Sequence, residues 1–512
     1  MSKRIRTLLI VCLVIVVLAV SLGALLLLPK EEDEDGDTTT QDSTVTVLDR
    51  SKDAQGNTAA SPVKRVEITT EQQTYTMEPN EDGDLAVVGY EDLLVAANRT
   101  ENLASTLATI TAERLVAESP ENPGDYGLEE PRGVAAVTYH DDSTAVLELG
   151  DDDPLGEGVY LRVQGSSAVY LVETDFADTV FQDPVYYIGT TLISAPTVRD
   201  DDTKGEAILR DMKLTGSLRA GQPLSFRRTT TSDSAETQLF TYVITSPYLR
   251  SFNDTMLQSL LTNATSLTAT VAVVAHPTAE ELTQYGFDDP YSVAEFNLAV
   301  LQGESDSSDE DAGEEQTVFY NIQAHKVVIG SKAEDGSYYI RVDDYPSIYK
   351  ASASALPWAE AVYSNSVSTS LFTKNITSVS AVTIQTDDGE TRFELAHYPD
   401  AETSSEQLAV TCGGTTYPTD EFRSLYQVLM LVKRSSVTDA EPQGEPVVQL
   451  MIDPTEDGGS AVAARFYENS GSTYLCRLQD GDTFLVSASA VEGFLKQVDN
   501  YLAGEKVIIS LS

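Results

Sequence analysis

Four histidines, three cysteines and one serine–lysine pair are the side chains through which this 512-residue chain could do conventional chemistry. His140, His276, His325 and His397 stand far apart, and none falls in HExxH or another ligand spacing, so the sequence offers no zinc site. Ser347-Ile348-Tyr349-Lys350 spells SxxK, in which a lysine one helical turn away activates serine for acyl transfer. That chemistry needs a helix. The segment instead reads as a strand, where residues three apart face opposite sides, and the aligned Ala168-Val169-Tyr170-Leu171 carries neither group. There is no GxSxG elbow, no Walker lysine loop and no GxGxxG after a strand. The sequence therefore predicts no catalytic, cofactor-binding or metal-binding residue, and no enzyme activity.

Cys12 lies inside an apolar run that continues beyond it, preceded by Val11 where a lipid-modified cysteine would need a small residue, so a lipoprotein is rejected. Cys412 and Cys476 lack CxxC spacing. Their pairing would close a loop worth roughly 4 kcal/mol, and two buried free thiols are the simpler expectation. Glu31, Asp33, Asp35, Gly36 and Asp42 approach an EF-hand spacing. Position 1 is Glu, position 12 is Asp and no helix flanks them, so a solvated acidic spacer is expected.

Composition sets the outer limits. With 81 acidic against 33 basic side chains the net charge is −48, which excludes nucleic acid as a partner by long-range repulsion. At 41% hydrophobic, with 24 Tyr and 14 Phe, the chain is too apolar to remain disordered. The uncharged, proline-free run 7–28 is long enough to cross a bilayer as a helix. Lys3, Arg4 and Arg6 precede it, and acidic residues follow Lys30, which places residues 1–6 in the cytoplasm, a single-pass anchor at 7–28 and the bulk of the chain outside. A cleaved signal at Ala19-Val20-Ser21 competes with this reading but would strand Leu22 to Leu28 on the mature protein. Residues 29–62, acidic and poor in large apolar side chains, read as a flexible stalk.

Internal repeats organise the rest. Tyr126-Gly127-Leu128-Glu129-Glu130-Pro131 recurs as Tyr285-Gly286-Phe287-Asp288-Asp289-Pro290. Leu149-Gly150, Tyr160-Leu161-Arg162-Val163 and Val169-Tyr170 recur as Ile329-Gly330, Tyr339-Ile340-Arg341-Val342 and Ile348-Tyr349. A third copy shows Tyr474-Leu475-Cys476-Arg477 and Phe484-Leu485-Val486 but no Tyr-Gly-x-x-x-Pro. The predicted fold is α+β: an N-terminal transmembrane helix and three related antiparallel-sheet-and-helix units at 63–190, 215–363 and 375–505, the second with an exposed acidic loop at 303–316. Each unit reads as strands, a helix (102–115, 254–267, 419–432), further strands and a closing helix. Tyr-Gly-x-x-x-Pro reads as a corner, its glycine permitting positive φ and its proline stopping a helix. With Cys476 aligned to Arg162 and Arg341, these arginines read as strand-face salt-bridge residues rather than ligand binders.

The N-terminal anchor, Asp125 to Pro131, the Leu149-Gly150 step, Tyr160 to Val163 and Val169 to Val172 together resemble the membrane-anchored bacterial proteins classed under domain of unknown function 4340. That resemblance implies no established catalytic residues. It implies an envelope role beside the permease and auxiliary subunits of transporters similar to the gliding-associated ABC type. The expected function is accordingly a non-catalytic, extracytoplasmic scaffold or accessory protein of such a complex. The alternative is a surface module that binds a ligand, wall polymer or cation.

Overall fold

The computed structural model describes residues 44–51, 63–219, 221–234, 237–303, 317–455 and 459–511. The expected tail 1–6, anchor 7–28, EF-like stretch 31–42, most of the stalk 29–62 and nearly all of the loop 303–316 lie outside the described residues. Among the described residues no helix is long and apolar enough to cross a membrane.

Three antiparallel sheets, of eight, nine and nine strands, carry an α+β fold with one topology used three times. In the first unit Val63–Thr70 lies mid-sheet, and Thr74–Pro79 and Leu85–Val87 step outward to one edge. The helix Ala97–Ala108 then crosses a face, and Arg114–Ala117 forms the opposite edge. Gly133–Tyr139 returns to the middle, and Thr144–Asp152, Val159–Val163 and Val169–Val172 meander back out. The second unit repeats this order around Glu206–Thr215, helix Asp254–Leu261 and edge strand Val271–Val274. The third does so around Val379–Thr386, helix Thr419–Leu431 and edge strand Arg434–Val437.

The pattern of each strand explains its place. Along Gly133–Tyr139, Ala135, Val137 and Tyr139 are buried while the residues between them are half-buried, the period-two signature of a sheet covered on one side. Leu103 and Leu107, one turn apart on the helix, are fully buried against Val66, Ile68, Met77, Leu147 and Leu161. Phe422, Leu425, Tyr426 and Leu429 serve the third unit in the same way.

Several expected boundaries move. The first helix starts at Ala97 and stops at Ala108 instead of spanning 102–115. Beyond it Thr109-Ile110-Thr111-Ala112 alternate exposed and buried, and the β-branched run continues as a strand. The second helix likewise ends at Leu261, with Leu267–Thr268 in a strand rather than in the helix 254–267. The second sheet begins at Glu206, ahead of 215, because Ile208, Leu209, Met212 and Leu214 supply core residues.

The stalk is also corrected. Val45–Asp49, inside the segment expected to be flexible, form a strand paired with Thr109–Ala112, Thr46 opposite Thr111 and Leu48 opposite Ile110. Equivalent linker strands join the units. Thr191–Ile193 pairs with Leu267–Thr268 of the second unit, Thr191 opposite Thr268, and Ser370 bridges Lys433 of the third. The first two units thus receive a strand from the segment that leads into them, and the third a single bridge. The apolar residues after the paired hydroxyl enter the receiving unit: Leu192 and Ile193 belong to the second unit's core, and Leu371 and Phe372 to the third's.

Candidate functional site at the seams between units

The repeated motifs form one interlocking device. Gly127 and Gly286 adopt φ of 67° and 82°, which turns the chain at the Tyr-Gly corner. Gly150 and Gly330 lie under it: a Cβ at Gly150 would stand 2.1 Å from the Tyr126 carbonyl oxygen, and one at Gly330 2.2 Å from that of Tyr285. The corner tyrosine then packs on the strand tyrosine, Tyr126 against Tyr160 with ring centroids 5.0 Å apart and Tyr285 against Tyr339 at 4.6 Å. In the first unit Leu128, Tyr160, Val169 and Leu171 make a small apolar cluster on the sheet face away from the main core. The arrangement covers a sheet face.

Strand register corrects the alignment of the third copy. Leu161 pairs with Tyr170 and Ile340 with Tyr349, whereas the core-facing pair of the third sheet is Cys476 with Phe484. Tyr474 is therefore on the equivalent strand but on the opposite face from Tyr160 and Tyr339, whose counterpart is Leu475. A one-residue slip exchanges faces in a period-two element. Arg477, not Cys476, then corresponds to Arg162 and Arg341. Phe466 opposite Cys476 matches Leu149 opposite Leu161, which puts Tyr467 where the other units have Gly150 and Gly330. The expected salt bridge exists at Arg162, whose Nε donates to Glu148 at 2.6 Å while Nη2 donates to the Leu128 carbonyl at 2.9 Å, but not at Arg341, whose Nε is buried without a hydrogen-bond partner. Arg477 reaches Glu441 at 2.6 Å.

The chemically suggestive residues are dispersed. Ser347 is fully buried and donates to the Ala275 carbonyl at 2.9 Å, while Lys350, on the strand Ile348–Ala351, pairs with Asp335 at 2.7 Å. His276 meets Asp92 at 2.9 Å, His325 meets Asp343 at 2.8 Å, His397 contacts the Val379 carbonyl at 2.7 Å, and His140 lies exposed in a turn. Among the described residues no group of three or more His, Cys, Asp or Glu side chains could hold a metal ion. Cys412 and Cys476 are free thiols with four strands between them, about 24 Å at ~4.8 Å per strand, far beyond disulfide reach. Burial pushes the Cys476 thiol up, so it stays protonated.

The concentrated polar chemistry lies at the seam of the second and third units. Asp482, in the turn between Thr473–Leu478 and Thr483–Ser487, is 1% exposed. It accepts from the Tyr363 hydroxyl and from Arg250 Nε at 3.1 Å, and Arg250 Nη2 also meets Asp480 at 2.8 Å. Arg434, buried beside this cluster, is brought down to about 10 chiefly by desolvation. Burial also holds the Asp482 carboxyl above the ordinary aspartate range, although Tyr363 and Arg250 favour its charged form. Alongside runs a cleft of about 200 Å³ lined by Phe240, Leu249, Arg250, Leu371, Lys374 and Leu478. Two carboxylates, two guanidinium groups and a phenol from both units meet here largely out of water, an arrangement that favours one orientation of the two units. Sequence reasoning missed it because Asp480-Gly481-Asp482 looks like any acidic turn in a chain with 81 acidic residues.

The seam between the first two units is mostly apolar. Leu93 and Ile188 from the first unit join Leu192 and Ile193 in the second unit's core, and Val95 bridges Ile188. At its rim Asp92 pairs with His276, which packs edge-on against Tyr90 at 5.5 Å.

No curated protein matches the chain. The family described as Domain of unknown function (DUF4340) matches residues 86–234 and 243–443, well over half of the sequence. The two matches begin in equivalent strands, Leu85–Val87 and Tyr242–Ser246, and each runs on across a seam into the following unit. A seam is thus part of what each match covers, and the chain belongs to the DUF4340 family, of which it carries two copies.

Proposed function

We propose that this protein is a single-pass, membrane-anchored, extracytoplasmic scaffold or accessory subunit of a cell-envelope ABC-type transport complex, and that it performs no chemistry itself. The apolar run 7–28 supplies the anchor, with residues 1–6 in the cytoplasm. The observation that carries the reading is how the units are joined: Val45–Asp49 and Thr191–Ile193 pair as strands with the first and second units, and the segment into the third bridges it at Ser370 and buries Leu371 and Phe372 in its core, an arrangement suited to holding partners at fixed spacing. The serine–lysine spelling supports it, since Ser347 is fully buried and donates to the Ala275 carbonyl while Lys350 pairs with Asp335. Affinity capture from detergent-solubilised membranes, read by mass spectrometry, tests the proposal. Permease and auxiliary subunits should co-purify with the full chain, and their consistent absence would overturn it.

A second reading, a surface module binding a ligand, wall polymer or cation, has one observation in its favour. A polar cleft of about 370 Å³ in the first unit is lined by Asn102, Thr106, Thr109, Glu113, Glu173 and Asp175. Calcium- or saccharide-dependent melting of the full chain would favour this reading over the scaffold.

A further inference from the structure

The first unit leaves open a space that the same fold closes in the other two. In the second unit Ile193 of the linker strand, Leu267 of the strand after the helix, and Ala355 and Trp358 of the closing segment line a gap of only about 20 Å³. In the third, helix Thr419–Leu431 packs on the closing helix Ala488–Leu502, with the Phe422 and Tyr501 rings 5.7 Å apart. Between the corresponding elements of the first unit lies the polar cleft of about 370 Å³. Topology does not require that opening, since apolar side chains fill it twice. Three elements each send two polar side chains to it. Asn102 and Thr106 stand one turn apart on helix Ala97–Ala108, Thr109 and Thr111 share the exposed face of strand Thr109–Ala112, and Glu173 and Asp175 lie at the entry to helix Thr174–Val180. Among the described residues none of these six side chains is tied to another protein group by a hydrogen bond or an ion pair. No lysine, arginine or histidine among the described residues lines the cleft, whereas Phe176 and Ala112 add an apolar patch.

We infer that this cleft binds a short neutral saccharide. A sugar ring carries hydroxyls that donate and accept around an apolar ring face, and the cleft answers each part. The threonine hydroxyls and the Asn102 amide both donate and accept, Glu173 and Asp175 accept, and Phe176 offers an apolar surface to the ring carbons. The volume falls within the ~300–1,000 Å³ of small-molecule sites, while the polar lining departs from their usual apolar character, as a hydroxyl-rich ligand requires. An anionic ligand would meet two carboxylates with no compensating cation. A bare metal ion is set aside because no group of three or more His, Cys, Asp or Glu among the described residues could hold one. This inference rests on the second reading above and gives it a ligand class. The cleft shares no residue with either seam, so the scaffold reading does not depend on it.

The test uses the full chain in a sugar-free detergent, with cellobiose and diacetylchitobiose as probes and saturation-transfer NMR as the readout. At least one of the two disaccharides should bind with a Kd of about 1 mM or tighter. Asn102→Ala with Thr109→Val, both at exposed positions, should weaken that binding about tenfold or more through two lost hydrogen bonds, with the melting midpoint unchanged. If this variant melts early, Thr111→Val alone keeps a β-branched residue in the strand and must still weaken binding about threefold or more. No signal from either disaccharide overturns the inference. A signal that these substitutions leave unchanged overturns it too, because the sugar then sits elsewhere. Tighter binding of spermidine than of both disaccharides overturns the neutral ligand class in favour of a cationic one. Failure here with spermidine- or calcium-dependent melting would leave the second reading standing, whereas no response to any of these probes would remove both.

Discussion

The two seams both join a linker to the unit it leads into, by a strand pair at the first and a single bridge at the second, but with opposite chemistry around it. Between the first and second units the contact is apolar, with Leu93, Ile188, Leu192 and Ile193 in a shared core and the Asp92–His276 pair left half in solvent, at 60% and 42% side-chain exposure. Between the second and third units Leu371 and Phe372 still enter a core, but Asp482, Arg250, Tyr363 and Arg434 are packed beside them largely out of water. An apolar seam tolerates small shifts because its attraction has no direction. A desolvated ionic seam allows one arrangement, since any displacement leaves a charge uncompensated. The second seam therefore fixes an angle, whereas the first mainly supplies adhesion.

Four changes would break or sharpen this contrast. Arg250→Ala, which leaves the Asp482 carboxylate buried without its closest cation, should cost about 3–5 kcal/mol, read as a lowered denaturation midpoint. Ile193→Ala opens a cavity at the apolar seam and should cost about 2–4 kcal/mol, without changing how stability varies with pH. That pH variation separates the seams. Asp482 has a folded pKa above its unfolded one, so the folded state binds the extra proton, and the contribution of this seam declines as pH rises from the unfolded aspartate value of about 3.9 through the raised value. Asp482→Asn should remove that decline from a series of melts between about pH 4 and 8. An unchanged slope would mean that Asp482 does not govern it. Last, Asp92→Ala should leave the melting curve where it was, because an exposed pair contributes little.

Much of this architecture is legible in the sequence because the repeats mark it. The strands from Val134 to Val172 and the helix from Thr419 follow from alternation and helical spacing, and the tyrosine–glycine corners from recurrence alone. What escaped has identifiable physical causes. Ile110 continues the helical spacing of Leu103 and Leu107, yet its β-branched neighbours place it in a strand. Tyr474 looks like the partner of Tyr160, but pairing of Cys476 with Phe484 shows that the third copy is displaced by one residue, which hid Arg477 as the retained arginine. Thr46-Val47-Leu48 is too short an apolar stretch to stand out beside an acidic segment, and it becomes a strand only because Thr109–Ala112 is there to receive it. The ionic seam is a tertiary feature: nothing near Arg250 in sequence announces an aspartate more than two hundred residues away.

The loss of the corner in the third unit follows the same logic. Glycine is required at 150 and 330 only because a tyrosine carbonyl presses on the strand there, and where the corner is absent Tyr467 occupies the corresponding position. The Tyr-Gly-x-x-x-Pro element and the apolar–glycine step are two halves of one packing device.

The central claim, that the molecule works by holding partners and not by chemistry, is tested most directly by comparing two variants in one co-purification from membranes. Arg250→Ala disturbs the ionic seam and touches no candidate nucleophile or base, whereas the double variant Ser347→Ala with Lys350→Ala removes the one nucleophile–base spelling in the chain. The account predicts that transporter subunits are lost with the first and retained, with transport unimpaired, in the second. A folded double variant that still assembles the complex yet abolishes transport would contradict it.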